Sequence, residues 1–479
     1  MDRKEFFIDG RWVAPRDGTV TDVIEAATGK PMATAPLAGP ADIDAAVTAA
    51  RRALSGPWAA LDQLQRADLL DRFGQELKAR GRETSVTVSR ENGMPITMSK
   101  SVNGFGPAYL VWYYARLLRE LEFEQVRPST SGGRTIVRQE PVGVVAAITP
   151  WNYPQVLAAM KVAPSLAAGC TVVLKPPPEA AIDAFVYAEA AEAAGLPPGV
   201  LNVVPGDRDA GAHLAGHPGV SKVAFTGSTA AGRAIGEVGG RLLRPVTLEL
   251  GGKSASLVLD DADLGLFASK LLAVSLPNNG QTCHASTRIL APRSRYGEVV
   301  DAVTETVRGL AVGDPLEAAT DIGPLVSSAQ RARVLDYVAA GRASGARLTV
   351  GGGIPAGREE GWFAEPTVFA DVGNGDRIAR EEIFGPVLAV LPYDTVDQAI
   401  EMANDCDYGL GGTVWTADER RGIEVARRIE TGSVGVNHYD LDIDAPFGGV
   451  KASGLGRELG PEGLQPYLVY KSIYLASAG

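Results

Sequence analysis

Short apolar runs recur through the middle of the chain, at 143–148, 171–174, 201–204, 222–225, 246–250 and 256–259. Stretches of helical spacing lie between them at 155–168, 180–194, 209–215 and 229–238. An uninterrupted apolar run suits a strand buried on both faces, and its alternation with helices predicts a parallel sheet covered by helices. Upstream, residues 5–40 hold short strand-like pieces broken by Gly10, Gly18, Gly29 and Pro31. Helical spacing follows at 45–54, with Asp42 as the expected cap, and again at 61–77 and 109–121. Alternation over 134–139 next to Ser131-Gly132-Gly133 predicts an antiparallel hairpin within 123–140. Beyond Gly252 strands and helices alternate again to about residue 450, with a helix-like run at 264–276 and strands at 288–291 and 387–391.

A chain of 479 residues is too long for one ordinary core, so two large domains are expected. With 45% apolar and 22% charged residues it has the composition of a globular protein. A formal charge of −11 argues against nucleic acid or an anionic membrane as partner. The three cysteines, Cys170, Cys283 and Cys406, make neither a metal-ligand spacing nor an even disulfide framework, so no metal is expected. The charged amino-terminal segment lacks an apolar stretch behind it, and no run of roughly 20 residues is both uncharged and continuously apolar, since prolines and polar residues interrupt 141–160, so no membrane span is expected. The expectation is a cytoplasmic protein.

Ligands of a parallel α/β sheet gather beyond the carboxyl ends of its strands. Thr149-Pro150-Trp151-Asn152, Lys175-Pro176, Pro205-Gly206 and Phe225-Thr226-Gly227-Ser228 all follow strands in this way, so one crevice would collect them. No Gly-x-Gly-x-x-Gly is present, but Gly227 and Ser228 open a helix whose backbone N–H groups suit a pyrophosphate. Lys175 at a strand end suits a ribose hydroxyl or phosphate. Gly252-Lys253-Ser254 is no P-loop, because position 247 is Thr247 instead of glycine.

Three residues carry candidate chemistry. Cys283 lies in Gly280-Gln281-Thr282-Cys283, at a break between helix and strand. A thiol at its ordinary pKa is mostly protonated at neutral pH and needs a shifted pKa or a base. Adjacent His284 is a poor base, since neighbours in an extended segment face opposite ways. Glu249 interrupts an apolar run, where burial raises a carboxyl pKa and suits it to take a proton from a thiol or a water. Asn152, held between Pro150 and Pro154, offers an amide donor to an oxyanion.

In order, Pro150-Trp151-Asn152, Leu248-Glu249-Leu250-Gly251-Gly252-Lys253 and Gly280-Gln281-Thr282-Cys283 resemble the aldehyde dehydrogenase superfamily. The resemblance runs from Phe7-Ile8-Asp9-Gly10 to Pro446-Phe447-Gly448-Gly449-Val450-Lys451. It implies an α/β fold: a Rossmann-like cofactor domain (1–118 and 141–250), an α/β catalytic domain (251–450), and a small β oligomerisation arm with the C-terminal segment (119–140 and 451–479). It implies oxidation of an aldehyde to the acid with NAD(P): Cys283 attacks, Asn152 and the Cys283 N–H hold the oxyanion, and Glu249 activates the water that hydrolyses the thioester. Lys161 would support the relay to Glu249.

By the same resemblance Thr149, Pro150, Trp151, Lys175, Gly206, Phe225, Gly227, Ser228, Leu250, Glu382 and Phe384 would contact the cofactor. NAD-preferring relatives often carry a glutamate three residues after the lysine. Here Pro178 stands there, followed by Glu179, so NAD is favoured while NADP stays open. Trp112, Tyr153, Leu157, Thr282, His284 and Tyr439 would line the substrate tunnel, which leans toward an apolar or aromatic aldehyde. The 123–140 hairpin would pair with 468–475 to join copies into a homodimer or homotetramer. Many relatives have a glutamate two residues before a lysine in that last strand, where this chain has Val469-Tyr470-Lys471, so protons would leave by another route.

Other classes remain open on the residues alone. A cysteine esterase without redox chemistry would need a histidine such as His213 or His217. A CoA-acylating dehydrogenase would not need Glu249 to activate water, and a non-catalytic binding protein would not need Cys283, Glu249 and Asn152 together.

Overall fold

The structure is a computed structural model and describes residues 2–16, 19–130 and 132–476; Gly18 and Ser131, named above as a break and a turn residue, lie outside the described residues. Its first sheet has eight strands in the order Arg11–Val13, Phe6–Ile8, Leu201–Val203, Thr171–Lys175, Val144–Ile148, Lys222–Thr226, Val246–Glu249, Gly454–Leu455. The five central strands are parallel, and the pairings at the two ends are antiparallel. Counted along the chain from Val144–Ile148, the central order is 3-2-1-4-5. The switch point, where a ligand crevice opens, therefore falls between Val144–Ile148 and Lys222–Thr226. Those two strands are buried at every position, as their unbroken apolar runs predict.

A second sheet of seven strands runs Arg347–Val350, Thr367–Ala370, Val387–Tyr393, Arg288–Pro292, Ala255–Val258, Gly412–Trp415, Gly435–Val436. Ala255–Val258 thus belongs with the later strands, although its apolar run continues the earlier rhythm. The segment 451–479 is divided. Gly454–Leu455 edges the first sheet, whereas Leu468–Leu475 pairs with Arg134–Pro141, itself paired with Glu124–Pro128, in a three-stranded antiparallel sheet.

Several helices depart from their sequence limits for physical reasons. The first begins at Pro40, so Asp42 sits inside its first turn and accepts the Gly39 N–H there instead of preceding the helix. The 61–77 pattern belongs to a 30-residue helix, Gln63–Asn92. Gly81 within it is no breaker: a Cβ there would lie 2.1 Å from the Gly104 carbonyl oxygen, so the glycine serves close backbone packing. The 180–194 helix starts only at Phe185, because the buried Glu91 carboxylate takes the N–H groups of Ile182 and Asp183, at 2.9 and 3.2 Å.

Candidate active site

The helix Leu264–Ser275 and the 3-10 turn Pro277–Gly280 deliver Cys283. Asn278 and Asn279 take left-handed backbone conformations, φ 50° and 61°, which asparagine tolerates better than most residues. Their carboxamides anchor the turn: Asn278 donates to the Asn152 carbonyl at 2.9 Å, and Asn279 to the Gly93 and Pro324 carbonyls at 2.9 and 2.8 Å. Gly280 is required by space as well as by its φ of 75°, since a Cβ would meet the Gly385 carbonyl oxygen at 2.2 Å. Cys283 is partly exposed at the end of this turn. Burial pushes its thiol up to about 12, with the negative charges of Glu382 and Glu249 adding to the shift, so the resting group is SH and requires a base.

Asn152 follows the strand Val144–Ile148, and its side-chain Nδ2 donates to the Gln281 carbonyl at 3.0 Å, bringing the amide to the nucleophile loop. Glu249 ends the neighbouring strand Val246–Glu249. Neither of its carboxylate oxygens has a hydrogen-bond partner among the described residues. Burial first, then the charge of Glu458, raises it well above the carboxylate range, while Lys161 and Arg457 oppose the shift. Lys161 is fully buried in the helix Pro154–Ala168, bonded to Glu458 at 2.7 Å and to the Thr226 hydroxyl at 2.5 Å. Glu458 escapes notice in the sequence, where Arg457-Glu458 resembles any surface pair.

Cys283 and Asn152 open onto a cleft of about 310 Å³ at the switch point, lined also by Pro150, Trp151, Gly227, Ser228, Leu250, Glu382 and Phe384. The residues fit a dinucleotide. Ser228 caps the helix Thr229–Arg241, whose N-terminal N–H groups suit a pyrophosphate, and Gly227 before it is required by space, since a Cβ would press into the Phe225 ring at 2.5 Å. Glu382 accepts the Gly252 N–H at 2.9 Å, and Phe384 meets Trp151 edge to face at 5.3 Å. Gln330 and Arg333 also line the cleft, a role without a sequence signal because they come from the helix Ser328–Ala343. They donate to the carbonyls of Phe384 and Ile383, steadying the Glu382–Phe384 wall.

Thr149, Lys175, Pro178, Glu179, Gly206 and Phe225 are not among the residues lining that cleft. Lys175 is buried, and its ammonium donates to the Gly206 carbonyl at 2.5 Å and the Pro176 carbonyl at 3.1 Å, while burial lowers it to about 8. Thr149 N–H bonds the Lys175 carbonyl at 3.2 Å, joining the two strand ends. Pro178 and Glu179 form a short turn beyond Lys175, with Glu179 exposed.

On the other side, Tyr153 and Leu157 share an apolar cluster with Phe447, against which Cys283, Leu441 and Ile443 pack. The Tyr153 and Thr282 hydroxyls bond each other at 2.6 Å. His284 stacks on Tyr439 at 5.0 Å and 20° and meets Phe447 edge-on at 6.0 Å; burial lowers its ring to about 4, so it is neutral at physiological pH. The Trp112 indole donates to the Asp71 carbonyl at 3.2 Å and lies over Gly74, packing the helix Gly106–Glu120 onto Gln63–Asn92 against the same apolar cluster. His213 and His217 both pair with Asp44 on the helix Pro40–Ala53, and neither is among the residues lining the cleft onto which Cys283 opens.

A thiol and an amide donor open together on a crevice at the switch point of a parallel α/β sheet, where the ligands of such sheets bind, the arrangement of a cofactor-binding α/β enzyme with a cysteine at its centre. The family model described as "Aldehyde dehydrogenase family" matches residues 12–473. The chain is 52% identical over 476 residues to geranial dehydrogenase of Castellaniella defragrans, covering 99% of both, and 39% identical to betaine aldehyde dehydrogenase of Rhizobium etli, covering 98% of this chain and 96% of the relative. Among solved structures it superimposes with TM-score 0.97 and 45% identity on a Mycobacterium tuberculosis aldehyde dehydrogenase complexed with NAD+, covering 100% of this chain and 99% of that one. A variant of Pseudomonas syringae aldehyde dehydrogenase C in complex with NAD+ and octanal gives TM-score 0.95 and 40% identity, with 98% and 96% covered. The chain belongs to the aldehyde dehydrogenase family, and it oxidises an aldehyde to the carboxylic acid with a nicotinamide dinucleotide.

Proposed function

We propose that Cys283 is the nucleophile, Asn152 the oxyanion donor and Glu249 the base of the hydrolytic step, in an enzyme that prefers NAD and acts on uncharged, apolar aldehydes. The supporting observation is the convergence of Asn152, on the Gln281 carbonyl, with Cys283 on one cleft. Cys283 gives its proton to water in the cleft, and attack of the resulting thiolate on the aldehyde carbon places charge on oxygen, where the free Asn152 N–H and the Cys283 N–H receive it; one such donor contributes about 3–4 kcal/mol. When bound, the nicotinamide accepts the hydride that leaves this adduct. Glu249 then takes a proton from water, and hydroxide displaces Cys283 from the thioester. The proton passes toward the buried pair Lys161 and Glu458. Retention of Glu249 favours water over CoA as the acyl acceptor.

The apolar preference rests on how the hydroxyls beside Cys283 are spent. Tyr153 and Thr282 bond each other, and Tyr439 bonds Ser433 at 2.6 Å, so the wall presents ring faces and aliphatic carbon. A second hollow of about 670 Å³ on the far side of Tyr439 is lined by Met98, Leu276 and Pro277 together with Lys270, Asp321 and Asp440. The geranial and octanal of the relatives are uncharged, apolar aldehydes. Self-association through Leu468–Leu475, which exposes Tyr470 and Tyr474, is part of the same reading, as is a reducing cytoplasm suited to three free cysteines. Acid quench of Glu249→Gln with octanal and NAD, followed by peptide mass analysis, tests it. An octanoyl adduct on Cys283 is expected, and its absence after cofactor reduction would reject the assignment.

A further inference from the structure

Asn92, the last residue of the long helix Gln63–Asn92, is fully buried, and both ends of its carboxamide are used. Its Nδ2 donates to two consecutive carbonyls, Trp151 at 3.1 Å and Asn152 at 3.0 Å, and its Oδ1 accepts the Met94 N–H at 2.9 Å. The Trp151 carbonyl lies in the peptide plane before the Asn152 α-carbon and the Asn152 carbonyl in the plane after it. Holding both planar units sets φ and ψ of Asn152 and with them the direction of its Cα–Cβ bond. One hydrogen of the Asn152 amide is then committed to the Gln281 carbonyl, at 3.0 Å, which leaves the other free beside Cys283. Asn278, five residues before the thiol, adds a second donor to the Asn152 carbonyl at 2.9 Å.

We propose that Asn92 is a positioning residue for catalysis: by clamping the two peptide planes around Asn152 it holds the oxyanion donor in register with Cys283. The inference rests on the assignment of Asn152 made above. The clamp is rigid at its other end. Gly93 turns the chain at φ 80°, its carbonyl accepts Asn279 at 2.9 Å, and a Cβ on it would stand 2.0 Å from the Pro324 carbonyl oxygen. Asn92 is thus seated against the nucleophile turn and the 323–326 segment together, and a side-chain cut there lets the amide drift while the thiol stays anchored by Asn278 and Asn279. An amide displaced by about 1 Å costs on the order of 100-fold in rate.

The test is a cycle of Asn92→Ala, Asn152→Ala and the double variant, reading the pre-steady-state burst of reduced NAD with octanal and, separately, alkylation of Cys283 by iodoacetamide, which forms no oxyanion. Asn92→Ala is expected to slow the burst about 10- to 100-fold, leave alkylation and the apparent affinity for NAD unchanged, and add little in the Asn152→Ala background. Equal slowing by Asn92→Ala in both backgrounds, or a parallel loss of alkylation, would overturn the proposal and leave Asn92 a structural joint. An Asn152→Ala enzyme with an unchanged burst would instead remove the oxyanion assignment, and the proposal with it. Should Asn92→Ala not fold, Asn92→Asp, which keeps the side-chain shape and the bond from the Met94 N–H but loses both donated bonds, enters the same cycle, with the same non-additivity expected and additivity again contradicting.

Discussion

Lys161 and Glu458, 297 positions apart, form an ion pair 2.7 Å long with almost no exposure, beside a carboxyl group that has no hydrogen-bond partner of its own among the described residues, Glu249. Glu458 raises the pKa of Glu249 and Lys161 lowers it, so the charge state of the pair governs the readiness of the hydrolytic base. Glu458→Gln leaves Lys161 as an unbalanced cation and is expected to lower the Glu249 pKa. The lower limb of the pH profile for thioester hydrolysis then moves toward acid, which stopped-flow release of acid product checks. Breaking a buried pair costs about 3–5 kcal/mol, so a lower Tm is expected as well. A lower Tm with no movement of the profile would confine the pair to a structural role.

Alkylation of Cys283 should accelerate with pH. Burial and the two nearby carboxyl groups push the thiol up to about 12, so thiolate is scarce at neutral pH and rises about tenfold per pH unit below that value. Iodoacetamide modification of the enzyme free of cofactor, followed from pH 6 to 9, is expected to climb with a slope near one. A plateau above pH 7 would show that a partner already ionises the thiol.

Cofactor choice depends on the end of the strand Thr171–Lys175. Glu179 is exposed there, and its charge acts on Lys175, which lies where a ribose hydroxyl would bind in the proposed site. A carboxylate repels a 2′-phosphate. Glu179→Gln is expected to improve kcat/KM for NADP by about 10-fold, or roughly 1.4 kcal/mol, with little effect on NAD. Unchanged NADP kinetics would assign discrimination to Pro178 and the backbone.

Asp183 lies buried against Glu91. Burial pushes Asp183 up to about 8. Because its folded pKa exceeds the unfolded value near 4, the folded state holds a proton that the unfolded chain releases, so the contribution of this group to stability is fully present below about pH 4 and is lost as pH rises through 8. Asp183→Asn is expected to flatten the decline of Tm between pH 5 and 8 measured by thermal unfolding. An unaltered slope would place the pH dependence elsewhere.

The parallel sheet and its crevice were legible because buried strands carry uninterrupted apolar runs, and Cys283, Glu249 and Asn152 because each is a reactive or polar type set where apolar residues or prolines surround it. Glu458, Gln330, Arg333 and Asn92 were not, because their roles arise from contacts that span long stretches of chain. Asn92 looks like the end of a polar helix until Gly93 turns it toward Trp151. The late start of Phe185–Ala194 was likewise hidden, since Glu91 competes for the N–H groups that an earlier start would have used.

Absorbance at 340 nm, with purified enzyme, octanal or geranial, and NAD or NADP supplied separately, tests the central claim most directly when run beside Cys283→Ala. Reduced cofactor is expected with the native enzyme, faster with NAD than with NADP, and none with the variant. Reduction that persists in Cys283→Ala, or an aldehyde panel that reduces neither cofactor while Cys283 still cleaves esters, would contradict the account.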